Sequence, residues 1–390
     1  MKECDWSSDV CSSDLNGENT MKKAAIAAVC AALISTAAEA GEWTFEAMGK
    51  ARTLFGYGHP DSRYSYHRSR YHLPTRFNLS LLAQYSFDDS YQLGAYLDLA
   101  YGFDQQLKDY NHGSWGEEVY LILDAPFGRV VGGQSYNAAY QLGVGAPDAG
   151  VLGVNQSDLV NFVANPNWQR NRRGTAYRTL NSTDINTDGT APKITYISPE
   201  FDGTMFGLTF VPESFSRDGL ISRYAPYHDK AGYIASVYHN RELGNVSLSA
   251  SLAAAHFEDI DDELSAGLSL YYKGWTFGGG IRRTFVSHKY ADMNVRSPRR
   301  PEGFDAYRDA WAANIGVGYE IGPVKTALTY FYSKADGRDY EDKIVQLSGR
   351  YQLNRHFELQ AAVARGEFKG YDAAESNEGY AFVTGIGFKF

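Results

Sequence analysis

The last twelve residues, GYAFVTGIGFKF (Gly379–Phe390), alternate in character and indicate a β-strand whose two faces differ. Successive side chains of a strand point to opposite faces, so every second residue shares a face. One face would carry the large apolar residues Tyr380, Phe382, Ile386, Phe388 and Phe390. The other face would carry Ala381, Val383, Gly385, Gly387 and Lys389. The chain therefore ends in a strand with one aromatic face and one small or charged face.

The same alternation recurs from Trp43 onward in segments of about ten residues. In RFNLSLLAQYSF (76–87) all odd positions are apolar, and in NVSLSASLAA (245–254) all the even positions are. Nothing in the body of the chain has the 3.6-residue period of a helix. Membrane-spanning strands of a closed barrel have this length and period, with lipid on the apolar face and water on the other. The pattern therefore predicts an all-β chain.

The connections between these segments are short and long in turn. Short turns are predicted at 88–90, 125–128, 199–203, 241–244, 273–274, 321–323 and 353–356. Longer connections are predicted at 58–74, 104–115, 141–190, 214–229, 258–262, 289–308, 335–341 and 369–377. Fifteen connections imply sixteen strands with both termini on the short-turn side, which is the asymmetry of an outer-membrane barrel.

A soluble β-sandwich or propeller also has alternating strands, and the aromatic residues decide between the two. A soluble sheet buries its apolar face in a core, whereas here aromatic residues stand at the ends of the apolar stripes, as Tyr91 and Tyr101 do. That placement is typical of the two interfacial girdles of a membrane barrel. We therefore predict a transmembrane antiparallel β-barrel in which the last strand pairs with the first, at residues 43–57, so that no edge faces lipid.

The first forty residues differ from the rest. Met21-Lys22-Lys23 precedes an apolar run that ends in Ala38-Glu39-Ala40, the pattern of a secretory signal peptide with cleavage after Ala40. Residues 1–20 have neither a charged start nor an apolar core, and we interpret them as an upstream artefact. We expect residues 21–40 to be the signal peptide and residues 41–390 to form the barrel domain.

Charge and cysteine usage exclude several classes of function. Residues 1–40 hold three lysines, six acidic residues and all three cysteines, so residues 41–390 have 34 basic residues, 40 acidic residues and no cysteine. Disulfides, thiolate zinc sites and cysteine nucleophiles are therefore excluded from the predicted barrel. The mildly acidic balance argues against a nucleic-acid partner.

Several stretches together carry a family resemblance. They are the signal peptide, EWTFEAMGKARTLFGYG (42–58), the sixteen predicted strands, the long third connection, the terminal Phe390 and KITYISPEFDGTMFGLTFVPE (193–213). Over residues 41–390 the chain resembles the Gram-negative general porins, within the proteobacterial porin group. The resemblance implies a homotrimer, a third loop folded into the lumen and passive diffusion of ions and small hydrophilic solutes. It also implies contact with outer-membrane lipid and lipopolysaccharide, and a terminal Phe read by the barrel-assembly machinery.

A sixteen-stranded barrel is too wide for its side chains to fill, so its selectivity depends on what narrows it. We assign that role to the third connection, 141–190, by its length and by the resemblance, with Asp148 and Asp158 as candidate acids. The Pro-Glu-Phe-Gly-Gly element that the family often has in this loop is absent. Opposite the acids, Lys50, Arg52 and Arg76 are the candidate basic residues of the wall, and the two sets would create a transverse field.

Strand parity assigns further charged residues to the lumen, namely Glu46, Asp98, Lys193, Arg282 and Arg350. Arg170, Arg172 and Arg173 form a second basic cluster at the end of the third connection, which we also assign to the lumen; the alternative is that they pair with lipopolysaccharide phosphates at the rim. The simpler interpretation of each is a solvated charge of the water-filled lumen with no part in a constriction. The sequence leaves the sign of the selectivity open.

Two acidic stretches need separate interpretations. DINTDG (184–189) matches the start of a calcium-binding loop, with Asp184, Asn186 and Asp188 as oxygen ligands. Its twelfth position is Thr195 instead of Glu, and a plain polar turn is the alternative. The run of acids at 258–263 is expected to be a solvated loop.

No catalytic motif supports an enzyme: Gly-x-Ser-x-Gly, His-Glu-x-x-His and the phosphate-binding loop are absent. We therefore expect a porin that is not an enzyme. The first alternative is a substrate-specific channel for a sugar or an anion, which a row of inward aromatic residues would favour; Tyr96, Tyr120 and Tyr271 are the inward aromatics. The second alternative is an outer-membrane barrel hydrolase or adhesin.

Overall fold

The predicted alternating segments are β-strands, and they join into one closed antiparallel sheet. The structure is a computed structural model. It describes residues 41–60, 70–88, 90–102, 118–153, 159–168, 170–171, 174–175, 179–214, 230–287, 309–336, 339–370, 373 and 376–390. The predicted signal peptide and the stretch before it lie outside the described residues.

Sixteen strands form the wall, as predicted. They are β1 (Glu42–Pro60), β2 (Thr75–Ser86), β3 (Gln92–Gly102), β4 (Glu118–Ala125), β5 (Gly128–Gln134), β6 (Pro192–Ile197), β7 (Thr204–Val211), β8 (Gly232–Leu243), β9 (Val246–Phe257), β10 (Asp261–Tyr272), β11 (Trp275–Val286), β12 (Ala310–Ile321), β13 (Val324–Ala335), β14 (Glu341–Gln352), β15 (Phe357–Lys369) and β16 (Asn377–Lys389). Each strand pairs with the next, and a two-residue strand, Tyr71–His72, adds to the pairing of β1.

The barrel closes through β1, which has a different partner along each half. Its first part pairs with β2 from Glu42↔Ser86 to Thr53↔Thr75. Its second part pairs with β16 from Lys50↔Lys389 to Pro60↔Gly379. The predicted pairing of the first and last strands is thus confirmed, and the offset between the two registers is the stagger that a tilted, closed sheet requires.

The short turns lie at one end of the barrel together with both chain ends, as the sequence predicts. The turn between β10 and β11 has two residues with positive φ, Lys273 (47°) and Gly274 (88°), which suits the right-handed twist of the flanking strands. One long connection is wrongly predicted, because β9 and β10 are joined by residues 258–260 alone.

The same error affects the acidic run at 258–263, which is not a solvated loop. Asp261 and Glu263 belong to β10, and their side chains are 3% and 1% exposed. They are two residues apart and so share a face, which is the polar face of the sheet. The number of charges in a short stretch of sequence cannot predict the burial of such residues, because the segments that cover them are distant in the chain.

The two faces of the wall differ as the alternation requires. On β16, Ala381 and Val383 are buried whereas Phe382, which lies between them, is 50% exposed. On β14, Leu347 is 55% exposed while its neighbours Gln346 and Ser348 are buried. The exposed face is therefore apolar, and the opposite face carries the polar residues.

The third connection, between β5 and β6, has structure of its own. It contains a short helix, α1 (Ala138–Gln141), whose N-terminus is capped by the side chain of Asn137. It also contains two 3-10 turns, Leu159–Asn161 and Pro166–Trp168, and a small hairpin of Arg170–Asn171 with Gly174–Thr175. Among the residues that the structure describes, no helix is long and apolar enough to cross a membrane.

The apolar face predicts how the barrel tolerates charge. Leu347→Arg, near the middle of β14, should lower the free energy of unfolding in lipid vesicles by about 2–4 kcal/mol, because an arginine there faces hydrocarbon. Leu353→Arg, in the turn after β14, should change it by about 0–1 kcal/mol. Denaturant titration followed by tryptophan fluorescence measures both, and equal costs at the two depths would contradict the assignment of this face to lipid.

Candidate functional site

Basic side chains gather on the polar face of five neighbouring strands, β14, β15, β16, β1 and β2. The register places Arg52 opposite both Arg76 and Gly387, and Lys50 opposite Lys389. These residues line a cavity of about 370 Å³ together with Arg350, Glu358 and Asn78. The acid of this cavity, Glu358, lies 4.0 Å from Arg350. The predicted wall residues Lys50, Arg52 and Arg76 thus share one site with Arg350.

The third connection reaches this basic cluster. Arg52 Nη1 donates hydrogen bonds to the carbonyl oxygens of Gly150 (3.3 Å) and Val151 (3.1 Å). The amide of Gly150 in turn donates to Asp148 Oδ1 at 2.6 Å, which holds that carboxylate within the same turn. The structure therefore brings the candidate acid Asp148 close to Arg52, whereas the other candidate acid, Asp158, lies outside the described residues.

A chain of polar contacts continues from the cluster along β2 and β3. Arg76 Nε donates to Asn78 Oδ1 (3.0 Å), and Asn78 Nδ2 donates to Asp98 Oδ2 (3.3 Å). Ser80 Oγ donates to the other oxygen of Asp98 at 2.7 Å. Asp98 is 8% exposed, so it supports the row of polar residues beside Arg76 more than it faces water.

Between the helix α1 and the basic cluster, the connection runs across the polar face of several strands. The amide of Val144 donates to Ser251 Oγ of β9 (2.9 Å), and that of Ala146 donates to Asn314 Oδ1 of β12 (3.0 Å). Gln346 of β14 donates to the carbonyl of Gly153. The backbone passes so close to the wall that a Cβ at Gly267 of β10 would overlap the carbonyl oxygen of Val144.

Arg282 of β11 anchors the connection and is itself fully buried. It forms an ion pair with Glu263 of β10 at 2.7 Å, in which both side chains are 0% exposed. Its remaining N–H groups donate to the carbonyl of Asp184 (2.8 Å), Asn186 Oδ1 (2.7 Å) and Thr187 Oγ1 (2.8 Å). The sequence predicts that Arg282 faces the lumen. In the structure it lies on that face but is buried, because the third connection covers it and accepts its hydrogen bonds.

Lys193 of β6 forms a second buried anchor. Its ammonium group lies 2.6 Å from Asp188 Oδ2 and donates to the carbonyl oxygens of Ser135 and Gly189, each at 2.6 Å. Asn137 Nδ2 donates to the other carboxylate oxygen of Asp188 at 2.6 Å. Because Ser135 begins the connection and Gly189 lies near its end, Lys193 ties the two ends together.

The sequence analysis misses a third anchor, at Asp342 of β14. This buried carboxylate accepts hydrogen bonds from Asn165 Nδ2 (3.0 Å), Asn167 Nδ2 (2.7 Å) and the hydroxyl of Thr179. Asn377 of β16 donates to the carbonyl of Ala164 at 2.7 Å. The asparagines of ANPN (164–167) carried a signal of this role, since short polar side chains in a long connection are frequent hydrogen-bond partners of backbone and carboxylate groups.

The predicted calcium ligands have other partners in the structure. Asn186 accepts from Arg282 and Asp188 pairs with Lys193, so two of the three candidate oxygen donors already bind basic groups. Burial raises the pKa of Asp184 above its ordinary value, against the opposing effects of the Ser182 hydroxyl and Arg282. The described part of the chain contains no group of three or more His, Cys, Asp or Glu residues that could hold a metal ion.

The remaining predicted lumen residues are placed only in part. Glu46 is exposed and lies opposite Leu82, on the same face as Lys50 and Arg52. Arg170 is described by its backbone alone, in the small hairpin of the connection. Arg172 and Arg173 lie outside the described residues.

A model of the Gram-negative porin family matches residues 24–371. The chain belongs to the Gram-negative porins. It is a multi-pass outer-membrane protein that forms a channel for passive diffusion. No curated protein matches its sequence.

Solved porin structures have the same fold as this porin. The anion-selective porin from Comamonas acidovorans is 16% identical, with a TM-score of 0.58, and the match covers 90% of this chain and 100% of that one. A refined porin structure has 13% identity, a TM-score of 0.57 and coverage of 89% and 100%. OmpF of Salmonella typhi, in complex with daunomycin, has 12% identity, a TM-score of 0.56 and coverage of 89% and 97%.

The buried pair of Arg282 and Glu263 predicts a specific pattern of stability. Arg282→Met should lower the free energy of unfolding by about 3–5 kcal/mol, because it leaves the Glu263 carboxylate buried without its charge partner. The double variant with Glu263→Leu should recover part of that loss, since it removes the unpaired charge. Denaturant titration of the folded porin measures both.

The adjacent arginine provides the control for this experiment. Arg283 pairs with Asp336 on the outer face, where both side chains are partly exposed. Arg283→Met should cost at most about 1 kcal/mol. A similar cost for Arg282→Met and Arg283→Met would contradict the anchoring role of Arg282.

Proposed function

We propose that the third connection folds into the barrel of this porin and narrows its pore against the basic cluster. The observation that carries the proposal is the pair of hydrogen bonds from Arg52 to the carbonyls of Gly150 and Val151. The contacts with Ser251, Asn314 and Gln346 support it, because these side chains share the face opposite the apolar, exposed one. Water and small hydrophilic solutes then pass through the remaining opening.

The charges around this opening favour anions. Lys50, Arg52, Arg76, Arg350 and Lys389 surround one cavity, in which Glu358 provides the acid and Asp148 lies on the connection. A cavity lined mostly by one sign of charge raises the local concentration of ions of the opposite sign. We infer a preference for small hydrophilic anions, the property that the name of the Comamonas porin states for that protein.

The selectivity has a direct test in the basic cluster. Arg52→Glu or Arg76→Glu should shift the reversal potential in a salt gradient toward that of a cation-selective pore, because each replaces a positive charge of the narrow zone by a negative one. Planar-bilayer recording measures the shift. Arg355→Glu, in the exposed turn before β15, is the matched control and should leave the potential within error of the unchanged protein. Equal potentials for all three variants would refute the cluster as the selective site.

The position of the connection has a separate test. Because residues 41–390 contain no cysteine, Asp148→Cys introduces a single reactive thiol into the barrel. A bulky charged methanethiosulfonate reagent added during recording should reduce the conductance, since the label would occupy the narrow zone. The same reagent on Asn354→Cys, in a tight turn, should leave the conductance unchanged. Complete labelling of Asp148→Cys with no loss of conductance would contradict the proposal.

One observation favours a sugar-specific channel as the second candidate. The rings of Tyr96 and Tyr120 stack at 4.8 Å on the polar face, and those of Tyr136 and Tyr140 stack at 4.3 Å beside α1. Aromatic faces of this kind suit the apolar faces of sugars. In the recordings above, block of the ion current by maltose oligosaccharides would favour the sugar channel, and unchanged current supports the general porin.

Export and assembly complete the proposal. We infer that residues 21–40 are removed as a signal peptide, that Phe390 is read by the barrel-assembly machinery, and that the porin forms a homotrimer without enzymatic activity. A trimer is the form named for one similar structure, OmpT of Vibrio cholerae, which is 13% identical with a TM-score of 0.56 and coverage of 90% and 100%. The position of Phe390 supports the second inference, since its backbone exchanges hydrogen bonds with Gly49 and so completes the wall.

A further inference from the structure

Asp261, the first residue of β10, is a buried carboxyl group without a hydrogen-bond partner. Its side chain lies on the polar face and is 3% exposed. Among the residues that the structure describes, none forms a hydrogen bond with either of its carboxylate oxygens. An ionised carboxylate in such a place is strongly disfavoured, because it has lost its water without gaining a donor or a cation. The ionisation state of Asp261 therefore needs an explanation.

Glu263 brings a second carboxyl group to the same place. It lies two residues further along β10, on the same face, so the two Cα atoms are about 7 Å apart and the side chains can reach each other. Glu263 Oε2 accepts a hydrogen bond from Arg282 Nε at 2.7 Å, whereas Glu263 Oε1 has no partner within the described residues. Three of the four oxygens of this acid pair are thus without a hydrogen bond.

The surrounding charges do not balance two buried carboxylates. The charged and titratable groups on the elements next to Asp261 are Glu263 and Asp262 on β10, Arg282 on β11, Asp309 before β12, His256 on β9, and Glu258 and Asp259 in the preceding turn with Lys230. Asp262 pairs with His256 on the outer face, and Asp259 pairs with Lys230. In the described part of the barrel, two buried acids therefore share one buried cation, Arg282.

We propose that Asp261 holds a proton at neutral pH and donates it to Glu263 Oε1, as a positioning residue for the ion pair of Glu263 and Arg282. Two neighbouring carboxyl groups that are both removed from water do not ionise together. One proton leaves the acid pair with a single negative charge, which matches the charge of Arg282. Arg282 then keeps its other N–H groups for the third connection.

The bound proton gives the stability of the porin a definite dependence on pH. In the unfolded chain Asp261 is in water, where an aspartate with the ordinary pKa of about 4 is ionised at neutral pH. The folded chain would therefore bind one proton more than the unfolded chain. Its folding equilibrium constant should fall about tenfold for each unit that the pH rises, relative to a variant that needs no proton at this position.

The test replaces the acid by an amide, which has the shape and the neutrality of a protonated carboxyl group. At pH 7 the infrared spectrum of the unchanged porin should contain the C=O stretch of a protonated carboxyl group that Asp261→Asn lacks. In denaturant titrations at pH 6 and pH 7, the folding equilibrium constant of Asp261→Asn should gain about tenfold relative to that of the unchanged porin. Asp202→Asn, in the exposed turn between β6 and β7, is the matched control and should show neither effect.

Three results would overturn the proposal. Identical carboxyl bands or equal pH dependence for the unchanged porin and Asp261→Asn would show that Asp261 is ionised. A divalent cation that native mass spectrometry finds on the unchanged porin and not on Asp261→Asn would replace the proton by a metal ion. Failure of Asp261→Asn to fold would also contradict it, because the amide preserves what a protonated acid provides. Neither measurement depends on conductance, so a failure of the proposed constriction leaves both interpretable.

Discussion

The structure depends on the main-chain hydrogen bonds that close the sheet between β1 and β16. Inside a bilayer no water is present to satisfy backbone N–H and C=O groups, so a strand edge that faces lipid costs several kcal/mol for each unpaired group. The eleven residue pairs from Lys50↔Lys389 to Pro60↔Gly379 remove that edge. Closure also fixes which side chains face lipid, because a register shift of one residue would exchange the two faces.

The backbone of the wall is used for closure. Contacts with the third connection and with solutes therefore depend on the side chains of the polar face. They divide into two groups according to burial. Arg282, Lys193 and Asp342 are buried and bind the third connection through several hydrogen bonds each, which offset the desolvation of their charges. Lys50, Arg52 and Arg76 line a cavity instead, where we propose that their charge acts on solutes. The anchors bind the connection to the wall, and in the proposed pore the cavity residues provide the charge of the opening.

The sequence was sufficient to predict the wall but not this division. Alternation is a local pattern, so it revealed the strands, their two faces and the closing pair. Parity gives the face of a side chain and says nothing of what covers it, so it places both Arg52 and Arg282 on the lumen face although only Arg282 is buried. The acids Asp261 and Glu263 belong to a run of charges that by itself predicts a solvated loop, and their burial depends on residues distant in the sequence. Likewise, the oxygens of DINTDG resemble calcium ligands, but Arg282 and Lys193, from distant strands, bind two of them.

Glycine and alanine residues in the strands are the feature of the sequence that could have predicted which parts of each face are covered. In a wall with fixed strand spacing, a glycine or alanine among larger residues leaves room for a neighbour. On the polar face, Gly267 and Gly278 lie under the carbonyls of Val144 and Gly145, so the glycines follow the path of the third connection. On the outer face, Ala235 of β8 lies opposite Ala254 of β9, and the two small side chains leave a comparable gap between Leu208 and Leu264. Small residues in an alternating strand thus indicate where a neighbouring segment can approach the wall, and on the polar face of this barrel that segment is the third connection.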